Sequence, residues 1–415
     1  MHQLRKFQSI LGPGILMAAA AIGVSHLVQS TRAGANFGFD LIILILLANF
    51  FKYPFFEYGH RYFVATGETL LSGYKRLGKR YLYAFMILNF FTAMASVAAV
   101  TFVTAALCQN LFQWGLSLPL WCFLLILISV LLLAIGHYRG LDIFIKILMV
   151  ILLVATIAAF IAAMSADVRP RNIIEPLSPW RWANLSFFLA LMGWMPAPIE
   201  LSVWQSLWME AKDRNAGRRT TLREAKIDFN FGYIVTVILA VIFCCLGAQI
   251  MFQSGVSFSP SPATFAGQVI ELYTTALGPW STPIISVAAI ATMFSTTITL
   301  IDAYPRSIAE GLLLAFPKMN KISHRQWLNT WIFINCAIAL GIIWLLQEQL
   351  KLMVDIVTII AFIAGPFFAY INFKLIRSHL VSKNFQPGPA LVLLSYLGLI
   401  FLCGFTILYI YKSIV

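Results

Sequence analysis

Charge is what this chain has least of. Asp, Glu, Lys and Arg make up 11% of its 415 residues, against about 25% in an ordinary soluble domain. That is too little polar surface for a water-soluble body of this length, and no stretch has the composition of a separate soluble domain. Acids are scarcer than bases, 16 against 29, but the bases are dispersed among loops, which argues against a nucleic-acid patch. Cysteine is sparse too. Cys108, Cys122, Cys244, Cys245, Cys336 and Cys403 lie in or beside apolar runs with no CxxC pair, so neither a disulfide framework nor a zinc site is expected. No nucleophile–base set and no cofactor motif stands out, so neither an enzyme nor a bound cofactor is expected. What is abundant is apolar: 60% of residues are hydrophobic, and 34 Phe and 11 Trp suit lipid-facing and interfacial surfaces. The expectation is an all-α polytopic membrane protein, one transmembrane domain over residues 1–415, with the bilayer as its surroundings.

About eleven runs reach the length of about 20 residues needed to cross the hydrocarbon. They centre on 12–32, 39–64, 83–107, 118–135, 141–164, 183–208, 231–252, 280–301, 327–346, 352–376 and 391–411. With the N-terminus inside, the cytoplasmic loops collect Arg5, Lys6, Lys75, Arg76, Lys79, Arg80, Arg139, the run from Lys212 to Lys226, Lys318, Lys321, Arg325, Lys374, Arg377 and Lys383. The outer loops keep chiefly Arg169, Arg171 and Arg181. This bias predicts a cytoplasmic N-terminus and an outside C-terminus, in the plasma (inner) membrane of a bacterium. The start, MHQLRKF before an apolar run, is like a signal peptide, but the first run carries an internal motif that matches the rest of the chain, which argues against cleavage.

The stretch LMGWMPAPIELSVWQSLW places Pro196 and Pro198 in the middle of the sixth run, followed by Glu200. Proline lacks an amide donor and clashes with the preceding turn, so two of them should unwind the helix. Irregular backbone at membrane depth is tolerated where it is packed in protein or lines a wet cavity, and a carboxylate there suggests a substrate site. The first run has Gly23, Val24, Ser25 and His26 at matching depth. Together they suggest an inverted repeat, residues 12–164 and 183–376, with 391–411 appended.

The run GPGILMAAAAIGVSHLVQSTRAGANFGFDLI resembles the opening of the NRAMP (natural resistance-associated macrophage protein) family of divalent-metal transporters, and span number and the broken sixth run agree with that resemblance over nearly the whole chain. It implies a LeuT-like fold with helices one and six broken, and a secondary transporter working by alternating access. The functional positions depart from the family. Its Asp-Pro-Gly-Asn motif aligns with Gly23, Val24, Ser25 and His26, which removes the acidic ligand. Its Met-Pro-His aligns with Met195, Pro196 and Ala197, which keeps the thioether and removes the histidine. The third run has no Asp or Glu for the family's proton route, and the tenth has no glutamine between positions 352 and 366. A divergent branch is expected, for which ordinary Mn/Fe proton symport is doubtful.

The expected substrate-binding residues are Gly23, Ser25, His26, Trp194, Met195, Ala197, Glu200 and Trp204. His26, Met195 and Glu200 are the candidate metal ligands and suit late transition metals better than Mg or Ca. Ser295 and Thr296 are candidates for a coupling-ion site, because LeuT-like folds can hold sodium between hydroxyls there and carbonyls of span one. The bland reading of such hydroxyls is a bond back to the i−4 carbonyl. Proton coupling, if present, is expected in a His26–Glu200 pair. Lys52 and Glu57 are read as pairing or snorkelling, Lys146 as snorkelling, Asp302 as an i,i+4 partner of Arg306, and Asp355 as structural. The expected function is transport of a cation, a transition-type divalent metal as the resemblance implies, through an altered site; the alternatives are transport of a small organic solute such as an amine or amino acid in a cavity walled by Trp194, Trp204 and Trp208, and a non-transporting receptor or scaffold.

Overall fold

The computed structural model describes residues 12–135, 139–165, 178–252, 258–259, 261–318, 323–346 and 349–414, with 139–146 as backbone only. Arg5, Lys6, Arg169, Arg171, Lys321 and the side chain of Lys146 lie outside the described residues. Everything described is helix, turn or loop. Nine helices are long and apolar enough to cross a membrane, and the bent pair Pro13–Ala21 with Ser25–Phe37 makes a tenth span. The sixth span is split into Leu185–Gly193 and Leu201–Ala216, and counting the halves as one crossing gives the expected eleven. Spans two to five are Ile42–Thr66, Lys79–Phe112, Leu118–Ile135 and Arg139–Ser165. Spans seven to eleven are Leu222–Ile250, Pro279–Ala315, His324–Leu345, Leu350–Ile376 and Pro389–Ile414. Spans three and eight run well past the expected limits, and two further helices, Leu70–Leu77 and Pro262–Leu277, fill connections that the hydrophobic pattern left as loops.

Small residues set a close contact between spans one and seven. A Cβ on Gly34 would lie 1.9 Å from the Cys244 carbonyl oxygen, and one on Gly247 would lie 2.2 Å from that of Thr31. Where lipid replaces water there is no hydrophobic drive between helices, so backbone approach of this kind carries the association. The same contact explains the Gly-Pro-Gly start. Pro13 occupies the first turn, where its missing amide costs nothing, and Asp228 of span seven accepts from the Gly12 and Gly14 amides, 2.8 Å each. A carboxylate at a helix N-terminus is also favoured by the helix dipole.

Single prolines do not break spans here. Helices continue through Pro54, Pro305 and Pro366, because one missing donor is absorbed by neighbouring turns. Pro196 and Pro198 together do break one: residues 194–200 leave the helix between Gly193 and Leu201. Span one breaks at Ile22 and Gly23, bends by 46°, and resumes as a π-helix over Ser25–Ser30. Both breaks fall where the sequence placed them.

Replacing Gly34 by leucine should drive spans one and seven apart. Overpacking of this kind costs about 1–3 kcal/mol or more, so the unfolding midpoint in detergent should fall by several degrees. An unchanged midpoint would mean that this contact does not hold the bundle.

Candidate functional site

The two breaks face a cavity of about 20 Å³, which is room for about one water molecule. Its walls are mostly apolar: Val24, Pro196, Ala197, Trp194, Trp204 and Leu300. Its polar groups are the hydroxyls of Ser25, Ser96, Thr296 and Tyr304. Of the residues expected to bind substrate, Ser25, Trp194, Ala197 and Trp204 therefore meet at one place, together with the expected Thr296. Two indole donors stand out there. The Nε1–H groups of Trp194 and Trp204 are buried and have no hydrogen-bond partner among the described residues, although a buried polar group normally has one. Trp204 is held by an edge-on contact with Tyr304, ring centroids 4.6 Å apart.

The remaining expected residues lie off this lining. His26 is fully buried, but its Nε2–H reaches the Thr236 carbonyl of span seven at 3.0 Å and its Nδ1 lies 2.7 Å from Ser25 Oγ. With both ring nitrogens engaged, neither offers a lone pair toward the breaks. Met195 is buried outside the cavity wall. Glu200 begins the second half of span six, and its Oε1 accepts from Tyr304 O–H at 3.3 Å, so it stands one residue behind the cavity with Oε2 unpartnered among the described residues. No ion pair joins His26 to Glu200: the first faces span seven, the second span eight. Gly23 contributes through what it lacks, since a Cβ there would sit 3.2 Å from Thr296 Oγ1.

Thr296 reaches span one, with its hydroxyl 3.4 Å from the Ala19 carbonyl and 3.2 Å from its own i−4 carbonyl on Thr292. Ser295 points elsewhere, onto a larger cavity of about 620 Å³ that also touches Trp208, Asp302, Arg306 and Glu210. The expected pairing of Ser295 with Thr296 at one ion site is thus not formed. Nor does Trp208 wall the small cavity, although its ring lies 6.1 Å from that of Trp204. Asp302 does pair with Arg306, at 2.5 Å and 3.1 Å, as the spacing suggested.

Two buried charges do work that the sequence reading did not assign. Lys52 does not pair with Glu57, which is held by Arg61 one turn on. Five residues turn about 140° around a helix, whereas four bring side chains onto one face. The Lys52 ammonium instead crosses to span six and donates to the carbonyls of Met192 at 2.6 Å, Gly193 at 2.8 Å and Ala197 at 3.5 Å. The first two lie at the negative end of a half-helix, where the Met192 carbonyl also accepts from the Met195 amide at 3.2 Å, and the third belongs to the unwound stretch. At the opposite end of the bundle from Asp302, Arg32 grips Asp355 of span ten with two bonds, 2.7 Å and 3.0 Å, and Gln29 adds a third to the same carboxylate at 3.0 Å. Asp355 is therefore part of a clasp that ties span one to span ten.

A family model described as natural resistance-associated macrophage protein-like matches residues 14–412. An uncharacterized protein of Pasteurella multocida (strain Pm70) is 39% identical over 404 residues, which cover 96% of this chain and 91% of the relative. The metal transporter Nramp6.2 of Populus trichocarpa is 25% identical over 313 residues, 71% of this chain and 55% of that protein. A crystal structure of a mutant Eremococcus coleocola manganese transporter superposes with a TM-score of 0.70 at 17% identity, covering 98% of this chain and 86% of that one. The fold is the LeuT-like transporter fold.

Loosening the Arg32 clasp should open that end of the bundle. In Asp355→Asn, amide hydrogen exchange across residues 25–37 and 350–358 should speed up by at least about tenfold, since breaking a buried pair costs several kcal/mol. Exchange at the wild-type rate would leave the clasp without a role in closure.

Proposed function

The chain belongs to the NRAMP-like family and is an integral membrane protein with a transporter fold; from that premise we propose that it is a secondary transporter working by alternating access whose cargo is a small organic solute with acceptor oxygens, of the amino-acid kind. One observation carries this reading: the wall where the two breaks meet offers indole and hydroxyl groups, with no imidazole, thioether or carboxylate upon it. Indole N–H is a donor only, so two unpartnered indole N–H groups suit a carboxylate or carbonyl oxygen and offer a cation no lone pair. A dehydrated divalent ion at this wall would lack compensating charge in a low-dielectric setting, where losing water costs far more than neutral hydroxyls return. Among the described residues no three His, Cys, Asp or Glu side chains gather as a metal site.

Cation transport remains the second reading, favoured by family membership. For it to hold, His26, Met195 and Glu200 would have to turn toward the breaks in another conformation, and Ser295 would have to join Thr296. In both readings residues 12–164 and 183–376 act as inverted repeats, with the segment 391–411 appended. The loop charge bias puts the N-terminus and the 620 Å³ cavity on the cytoplasmic side, and the Arg32–Asp355 clasp outside. The conformation is then closed to the outside.

Proteoliposome uptake distinguishes the readings. Small amino acids and their derivatives should be taken up saturably, and Trp204→Phe, which deletes the donor and keeps an aromatic ring, should lower uptake by about tenfold, the value of one charge-assisted hydrogen bond. Saturable uptake of Mn, Co or Cd ions, weakened by His26→Ala or Met195→Ala, would overturn the organic-solute reading.

A further inference from the structure

Lys52 is 1% exposed, deep in span two, and among the described residues it makes no ion pair. Its ammonium is surrounded by what a broken membrane helix ordinarily offers a free cation: carbonyl oxygens from the end of a half-helix, here Met192 and Gly193, and from the unwound stretch, here Ala197, with the Phe362 ring face 5.9 Å away. Half-helix C-termini and unwound carbonyls are the elements with which transporters of this architecture hold ions. We propose that Lys52 is a tethered cation: its ammonium fills the carbonyl cluster at the end of the first half of span six, excludes any free cation from it, and lets the solute bind with no ion held at that half-helix.

The geometry supports this in three ways. The three donors of an ammonium are matched in number by the three carbonyls, and the ammonium occupies the space among them that a free cation would need. A second positive charge within a few ångströms would also meet direct repulsion in a medium that screens poorly. Glu200, which interacts with Lys52 electrostatically, stands at the start of the second half of span six, so the broken stretch lies between a basic and an acidic side chain. The inference goes beyond the reading of the cavity and takes from it only that the breaks form the binding site; the identity of the solute does not enter.

The test is thermal unfolding of the full-length protein in detergent, titrated with sodium, manganese or cobalt chloride against choline chloride at constant ionic strength. Wild type should give the same midpoint in all four salts. Lys52→Met and Lys52→Gln should unfold at a lower temperature in choline and regain about 4 °C or more with at least one of the ions, as expected when a ligand binds only the folded state. Folded variants that gain nothing from any ion overturn the proposal, and so does an ion-specific rise in the wild type. If neither variant elutes as folded protein, the wild-type titration alone decides, a flat response upholding the proposal and an ion-specific rise overturning it. Failure of every organic solute in the uptake experiment would leave these outcomes unchanged, so the two readings fail separately.

Discussion

The contact between the Lys52 ammonium and the carbonyls at the end of Leu185–Gly193 is the constraint on which the site depends. A helix cannot be interrupted inside a bilayer unless the freed backbone groups find partners, because each unsatisfied one costs several kcal/mol in hydrocarbon. Pro196 and Pro198 create the interruption, and Lys52 partners the carbonyls of Met192, Gly193 and Ala197 at it. The arrangement is mutual. An ammonium buried at this depth would be untenable without acceptors, and the break supplies them along with the negative end of a half-helix dipole. Span two is thereby fixed to span six at the level of the breaks. Gly193 packs there against span ten so closely that a Cβ would meet the Thr358 carbonyl at 1.9 Å.

From that level the remaining polar groups fall into an order that suits alternating access. The Arg32–Asp355–Gln29 clasp joins spans one and ten at one end. The small cavity sits at the breaks. The larger cavity, bordered by Asp302, Arg306 and Glu210, occupies the other end. Such a stack, with one end clasped and the other hollow, is what a conformation closed to one side requires. Glu200 lies between the levels, tied through Tyr304 to Ser96 of span three, where the family's acidic residues are missing.

The sequence carried the architecture well, because the physics that sets it is local. Hydrophobic runs mark spans, paired prolines mark the break at 194–200, Gly23 marks the break in span one, and the Asp302–Arg306 spacing marks an ion pair on one helix face. What it did not carry is the rotation of each helix about its axis. His26 is at the expected depth yet turns to span seven, and nothing in Gly-Val-Ser-His encodes that direction. Glu200 lies one helix position from the wall it was expected to form. Lys52 was misread through spacing alone: five residues put Glu57 on a different face, while Arg61 stood at the i,i+4 position that captures it. Asp228 gave no local signal, since the amides it caps are Gly12 and Gly14, more than 200 positions earlier in the chain. Long-range partners of buried charges are chosen by packing, and packing is not written in periodicity.

The central claim is that the wall formed by the two breaks recognises acceptor oxygens and leaves no place for a bare metal ion. Anomalous diffraction from crystals of the full-length protein grown with manganese, collected beside crystals grown with a transported solute, tests it most directly. The account predicts no anomalous peak between residues 23–26 and 195–200 in the first, and in the second, solute density within hydrogen-bond distance of the Trp194 and Trp204 indole nitrogens. A manganese peak in that space, ligated by His26, Met195 or Glu200, would contradict it.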